Sequence, residues 1–245
     1  PGYIKITQEY APKLEIHIST QQSITNSKAV KFYENQGYER VVLARELTFE
    51  EIEEIVNDTN IEIEVFIHGA VCSSYSGRCT LSNHMTSRDS NRGGCCQSCR
   101  WEYDLCYQEG NEYINVALNQ DDVPFTMSAK DMSLLEYIPR LCEIGVDSLK
   151  VEGRMKSHHY VATVIGVYRK AIDAYFNDPK NYKVKQEWID ELDKCAAREV
   201  YVGALMDDFS EKGQIYKEQY NMNKGIDYCG YIKSYDPKTK LAEVE

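Results

Sequence analysis

Short apolar runs that end in polar residues, each followed by an amphipathic stretch, recur along most of this 245-residue chain. Leu14–Ile18 leads to Ser19-Thr20, Val41–Ala44 to Arg45-Glu46, and Ile61–Ile67 to His68-Gly69. Between them, a helix is predicted after an N-cap at Ser27, with Gly37 as its stop. A second is predicted from Thr48, where Glu51 three residues on completes a capping box. Strands that alternate with helices imply parallel pairing with right-handed crossovers. The pattern therefore predicts an α/β domain of TIM-like (β/α) barrel type, with an open doubly wound sheet as the alternative. Polar residues at the strand tips favour the barrel, because that end carries the chemistry.

The rhythm breaks between Cys72 and Cys106, in a stretch rich in Ser, Gly, Asn, Arg and Cys. A long irregular segment inside a compact domain is usually functional. The regular pattern then resumes. Asn115–Leu118 and Phe125–Met127 are strand candidates, and Ser128 or Asp131 is expected to cap a helix carrying Leu134, Leu135, Ile138 and Leu141. Pro139 should kink or restart that helix. Ser148–Val151 is a strand tipped by Glu152-Gly153-Arg154. A long helix, His158 to Phe176, should turn Val161, Val164, Tyr168, Ile172 and Tyr175 inward, and another runs from Gln186 to Ala197. Tyr228–Tyr235 and Leu241–Glu245 read as a hairpin. The expected organisation is a barrel-like domain over 1–224 with an insertion at 70–106. The segment 225–245 would be the start of a small β domain, and both ends of the chain look cut.

Nine cysteines are present, and five of them (Cys72, Cys79, Cys95, Cys96, Cys99) fall within 28 positions. Such concentration favours metal or redox use in a reducing cytoplasm over a disulfide scaffold. Irregular spacing suits an iron–sulfur cluster, while tetrahedral zinc would also accept four thiolates. Cys142 and Cys195 fall on apolar helix faces and read as buried thiols. Cys229 lies in the terminal hairpin, and Cys106 is a substitute ligand candidate. The formal charge of −11 argues against nucleic-acid binding by the whole surface, but not against a local basic site. From Ser148 to Lys170, five cations face only Glu152. No apolar run is long enough to span a bilayer.

Several motifs together resemble those of the U32 "collagenase-like" peptidase family. They begin with Glu64-Val65-Phe66-Ile67-His68-Gly69-Ala70-Val71-Cys72 and Tyr75-Ser76-Gly77-Arg78-Cys79-Thr80-Leu81-Ser82. Arg88 to Gly93, Cys95, Cys99-Arg100-Trp101, Ser128-Ala129-Lys130-Asp131 and Lys150 to Lys156 continue them in order. The resemblance covers essentially the whole chain, less the family's first strands. It implies a TIM-like barrel and a [4Fe-4S] cluster. It also implies oxygen-independent hydroxylation, with tRNA wobble uridine as the nearest target and prephenate as the hydroxyl source. Ribosomal RNA is another target in the family, and a second U32 subunit a further partner.

Carried over by residue, Cys72, Cys79 and Cys95 match cluster ligands. Ser133 stands where many relatives have a cysteine, so Cys99, then Cys96, is the expected fourth donor. Arg154 and Lys156 are candidate clamps for carboxylates or phosphates, with Glu152 orienting Arg154. His68 is a candidate general acid or base. Arg88, Arg92 and Arg100 add positive charge near the cysteines, or order the loop. Tyr75, Trp101 and Tyr103 could stack on a flipped base or shield the cluster. Neither His-Glu-x-x-His nor Gly-x-Ser-x-Gly occurs, so proteolysis would need a pair such as Cys72 with His68 or His84.

Overall fold

The computed structural model describes residues 2–104, 106–115, 125–196, 198–206, 211–217 and 230–245. Helix α1 (Gly2–Tyr10) opens the chain, where the sequence pattern gave no element. Strands β1 (His17–Ile18), β2 (Arg40–Val42) and β3 (Glu62–Gly69) follow, separated by helices α2 (Ser27–Glu34) and α3 (Phe49–Asp58). All three strands pair in parallel. The cap of α2 is Asn26 rather than Ser27; its side chain accepts from the Ala29 amide. The Thr48–Glu51 capping box of α3 forms with both bonds. Its first turn also carries Glu50 and Glu51 at the positive end of the helix dipole. Phe49, Ile52 and Ile55 then bury one face.

Strand β3 is the centre of the sheet. Every residue from Ile63 to Gly69 is buried, as expected of a parallel strand covered on both faces. On one side it pairs in parallel with β8 (Ser148–Val151). On the other it pairs with β2, and near its end, antiparallel, with β7 (Asp131–Ser133). A register shift between Phe66 and His68 makes this possible. The Ile67 carbonyl then accepts from Leu134 N, while the next carbonyl, of His68, accepts from Glu152 N. Strand β7 also pairs in parallel with β9 (Val200–Tyr201).

The helix expected from Ser128 or Asp131 does not start at either residue; only its part from the Pro139 restart forms. Residues Phe125–Ala129 are strand β6, antiparallel to β10 (Gln214–Lys217), and Asp131 lies in β7. A single 3-10 turn at Leu135–Tyr137 precedes α5 (Ile138–Ile144), which carries Pro139 in its first turn. Proline is tolerated there because that amide has no helical partner. Helix α6 (His158–Asn177) buries Tyr160, Val164, Val167, Tyr168 and Ala171, whereas Val161, expected inward, is exposed. Helix α7 (Gln186–Cys195) packs Trp188 and Leu192.

The cysteine-rich segment is not wholly irregular. It contains the short helix α4 (Leu81–Thr86) and two 3-10 turns, and it leads at Cys106 into the hairpin β4 (Cys106–Glu109)–β5 (Glu112–Asn115). The expected strand at Asn115–Leu118 falls, beyond Asn115, outside the described residues. So do Tyr228 and Cys229, and so does the expected domain boundary at 224/225. The terminal hairpin forms between β11 (Ile232–Asp236) and β12 (Leu241–Val244), with every residue exposed. No helix among the described residues is long and apolar enough to cross a membrane.

Candidate active site at the cysteine-rich loop

The loop that follows β3 lies against the C-terminal tips of the strands and is fastened to them at both ends. Gly69, at φ +103°, starts it; a Cβ there would stand 2.5 Å from the Glu152 carbonyl oxygen, so the tips of β3 and β8 meet at a position only glycine fits. Ser76 is buried. Its amide and hydroxyl donate to Glu46 Oε1 at 2.9 and 3.1 Å, and its carbonyl accepts from Ser23 Oγ at 2.6 Å. Gly77, at positive φ, packs against the Gln21 backbone. The first half of the loop is thereby fixed to the tips of β1 and β2.

The second half is held from β7 and β8. Arg154 donates through Nη1 to the Gly93 carbonyl (2.6 Å) and through Nη2 to the Cys95 carbonyl (3.1 Å). Asp131 accepts from Arg100 Nη2 at 3.4 Å and from Lys156 Nζ at 2.8 Å. All three of these side chains are nearly buried. Within the loop, buried Ser82 accepts from the Cys96 amide and lies 3.3 Å from Ser98 Oγ. Ser90 and Asn91 both donate to the Cys79 carbonyl.

The eight described cysteines are free thiols. Cys72 reaches solvent, yet protein atoms crowd its sulfur. That burial raises its pKa, Arg45 opposes the rise, and Cys99, Cys95 and Cys79 add to it by mutual repulsion. Cys99, Cys95 and Cys79 thus lie within electrostatic reach of Cys72. Cys96 contacts Thr86 Oγ1 at 3.3 Å. At Cys79, burial pushes the thiol up, but hydrogen bonds from Ser74, Ser90 and the amides of Leu81 and Ser82 outweigh it and lower the pKa. Cys95 Sγ accepts from the Gln97 amide at 3.3 Å. The donors at Cys79 are of the kind that stabilise thiolate. Among the described residues, no three Cys, His, Asp or Glu side chains are already gathered at metal-binding distance. Cys106 is exposed in β4, and Cys142 and Cys195 pack against the core as expected.

Several candidate residues have roles that differ from those read in the sequence. His68 is 3% exposed, and its Nδ1 lies 3.2 Å from Tyr168 Oη. Burial lowers its pKa to about 4; Asp131 opposes the shift and Lys156 adds to it. A neutral imidazole facing the core is poorly suited to act as a general acid. Glu152 does not orient the Arg154 guanidinium. Its Oε1 accepts from the Arg154 amide, and its Oε2 faces Arg45. The guanidinium of Arg154 is used on loop carbonyls, and Arg100 and Lys156 are held by Asp131. The basic stretch around β8 is likewise dispersed, since Lys150 pairs with Glu64 and Arg169 with Asp173. Arg88 is exposed, Arg92 is exposed with Asp89 beside it, and Tyr75 and Trp101 are 49% and 41% exposed. Tyr103 donates to the Ser98 carbonyl.

The sequence reading missed Asp131 as a charge centre and Arg45 as a neighbour of Cys72. The signals were the Ser-Ala-Lys-Asp motif and the polar tip of β2. It also missed Tyr168, whose hydroxyl donates to the Ile67 carbonyl and accepts from Leu134 N at the fork of β3.

Fold and site together define an α/β protein with a thiol-rich loop clamped over the C-terminal ends of parallel strands. The chain belongs to peptidase family U32, whose description it matches over residues 1–214. It is 50% identical over its whole length to "tRNA hydroxylation protein P1" of Bacillus subtilis, of which it covers 58%. It is 38% identical to "tRNA hydroxylation protein P" of Escherichia coli, across 71% of this chain and 47% of that one. It is also 32% identical to "Collagenase" of Porphyromonas gingivalis, across 88% of this chain and 55% of that one. The chain therefore spans about half the length of these curated relatives. No solved structure matches it significantly.

Proposed function

We propose that this chain is the catalytic part of an iron–sulfur RNA hydroxylase that works without molecular oxygen. The target is the wobble uridine of tRNA, and prephenate is the hydroxyl source. The observation that carries the proposal is the set of free thiols at Cys72, Cys79, Cys95 and Cys99. Cys79, Cys95 and Cys99 lie within electrostatic reach of Cys72 in one loop, and hydrogen bonds to Cys79 and Cys95 and the Arg45 guanidinium at Cys72 supply donors to three of the four sulfurs. Such a donor set suits a [4Fe-4S] cluster. Zinc would accept the same four sulfurs, but it has no redox chemistry to offer a hydroxylation. The 50% identity to a relative named for tRNA hydroxylation supports the substrate class.

In this reading the cluster, when bound, supplies the electron-transfer chemistry. The chain's own residues hold and expose the site. Arg154 and the Asp131–Arg100–Lys156 triad fix the loop. Exposed Tyr75 and Trp101 offer faces for an unstacked base. Arg88 and Arg92 meet phosphate or the carboxylates of the hydroxyl donor. We read the sheet as an arc of a (β/α) barrel, supported by parallel β1, β2, β3 and β8 with the site at their C-terminal ends.

The peptidase reading rests on names, that of the family and those of relatives such as the Porphyromonas gingivalis "Collagenase". It would require a thiol activated by an imidazole; His68 bonds Tyr168 in the core, and His84 is exposed on α4, with no contact to a thiol among the described hydrogen bonds. The test compares tRNA nucleosides from cells with and without the gene, and after return of a Cys72→Ser variant. Loss of 5-hydroxyuridine that only the wild type restores is expected. An unchanged pool refutes the tRNA assignment.

A further inference from the structure

Arg45, at the tip of β2, has three partners and one charge. Its guanidinium carbon lies 3.8 Å from the centroid of the Phe66 ring. Nη1 is 3.7 Å from Cys72 Sγ, and Nη2 is 3.9 Å from Glu152 Oε2. The side chain is only 12% exposed, and the Phe66 beneath it is buried. A planar cation stacked on a ring and held by a carboxylate has little freedom to swing away from the sulfur. A lysine could supply the charge but neither the stacking nor the fork of donors.

A cation shielded from water and at hydrogen-bonding distance from a sulfur stabilises negative charge on it. Adding an electron to a cluster bound through that sulfur increases the negative charge, so a fixed cation favours the reduced form. Glu152, on the other side of the guanidinium, has the opposite effect. We propose that Arg45 is a positioning residue that holds the Cys72 sulfur in place and raises the reduction potential of the cluster, with Glu152 as its counterweight. This role rests on the iron–sulfur reading above.

The experiment uses the full-length protein, reconstituted anaerobically with iron and sulfide. Its iron content is measured, and it is then titrated with dithionite under electron paramagnetic resonance. Arg45→Gln should move the midpoint to a more negative potential. The oxidised-to-reduced ratio at the wild-type midpoint should rise about tenfold, which is ~59 mV for one electron. Glu152→Gln should move it the other way, and Arg45→Lys should fall between wild type and Arg45→Gln. Loss of iron from Arg45→Gln with an unchanged circular dichroism spectrum would also support the holding role. Full iron content with an unchanged midpoint in Arg45→Gln would overturn the proposal. Wild-type protein that binds no iron would overturn the cluster reading first, before any variant is compared, and this role with it.

Discussion

Replacing Asp131 with alanine removes the only carboxylate between Arg100 and Lys156 among the described ion pairs, and leaves two cations facing each other in a nearly dry space. The side chains of Asp131, Arg100 and Lys156 are 6%, 9% and 13% exposed, so water can do little to screen them. Breaking a buried pair in this way typically costs ~3–5 kcal/mol, because the remaining charge is uncompensated. Only one charge is deleted, but two cations lose their partner, so a cost within that range is expected. For a domain of this size it corresponds to a fall in melting temperature of roughly 10 °C. Urea unfolding of wild type and Asp131→Ala measures it directly. Asp131→Asn should cost nearly as much, since the shape survives and the charge does not. The triple replacement Asp131→Ala, Arg100→Met, Lys156→Met should recover most of the loss, because an apolar substitute for a whole buried ion cluster is often neutral. A cost below ~1 kcal/mol for Asp131→Ala would show that the triad is hydrated and that the loop is held by other contacts.

Two further predictions concern the end of β3. The unfolded chain binds a proton on His68 near the ordinary value of 6.5, whereas the native imidazole does so only near 4. Stability from this residue is therefore complete above about pH 6.5 and declines as pH falls through that window. The decline is ~2 kcal/mol by pH 5 and ~3 kcal/mol by pH 4. Urea midpoints at pH 7 and 5 should show this slope in wild type and lack it in His68→Gln; equal slopes would mean that His68 is solvated. Gly69→Ala should cost ~1–3 kcal/mol, since it combines positive φ with a clash against the Glu152 carbonyl. A neutral result in thermal melts would place the tips of β3 and β8 further apart.

Local signals in the sequence were readable where both partners lie close in the chain. The capping box of Thr48 and Glu51 spans three residues, and the structure contains both of its bonds. The concentration of cysteines marked the segment from Cys72 to Cys99, and the family resemblance named Cys72, Cys79 and Cys95 within it; the loop brings Cys79, Cys95 and Cys99 within electrostatic reach of Cys72. What the sequence hid depends on distant pairing. Asp131 looked like a helix cap because Leu134, Leu135, Ile138 and Leu141 follow at helical spacing. Its partners are 31 and 25 residues away, and β6 pairs with β10 far along the chain. Arg154 and Lys156 looked like free clamps for the same reason, since their acceptors belong to other segments. Val161 fits the apolar period of α6, yet its side of the helix is open to solvent.

The most direct measurement is the iron and sulfide content of the anaerobically prepared full-length protein and of its single Cys→Ser variants. The account predicts about four irons and four sulfides per chain, with a broad visible charge-transfer band. That content should fall sharply in Cys72→Ser, Cys79→Ser, Cys95→Ser and Cys99→Ser, and stay unchanged in Cys96→Ser and Cys106→Ser. A colourless protein that carries zinc, or one whose iron survives all four replacements, would contradict it.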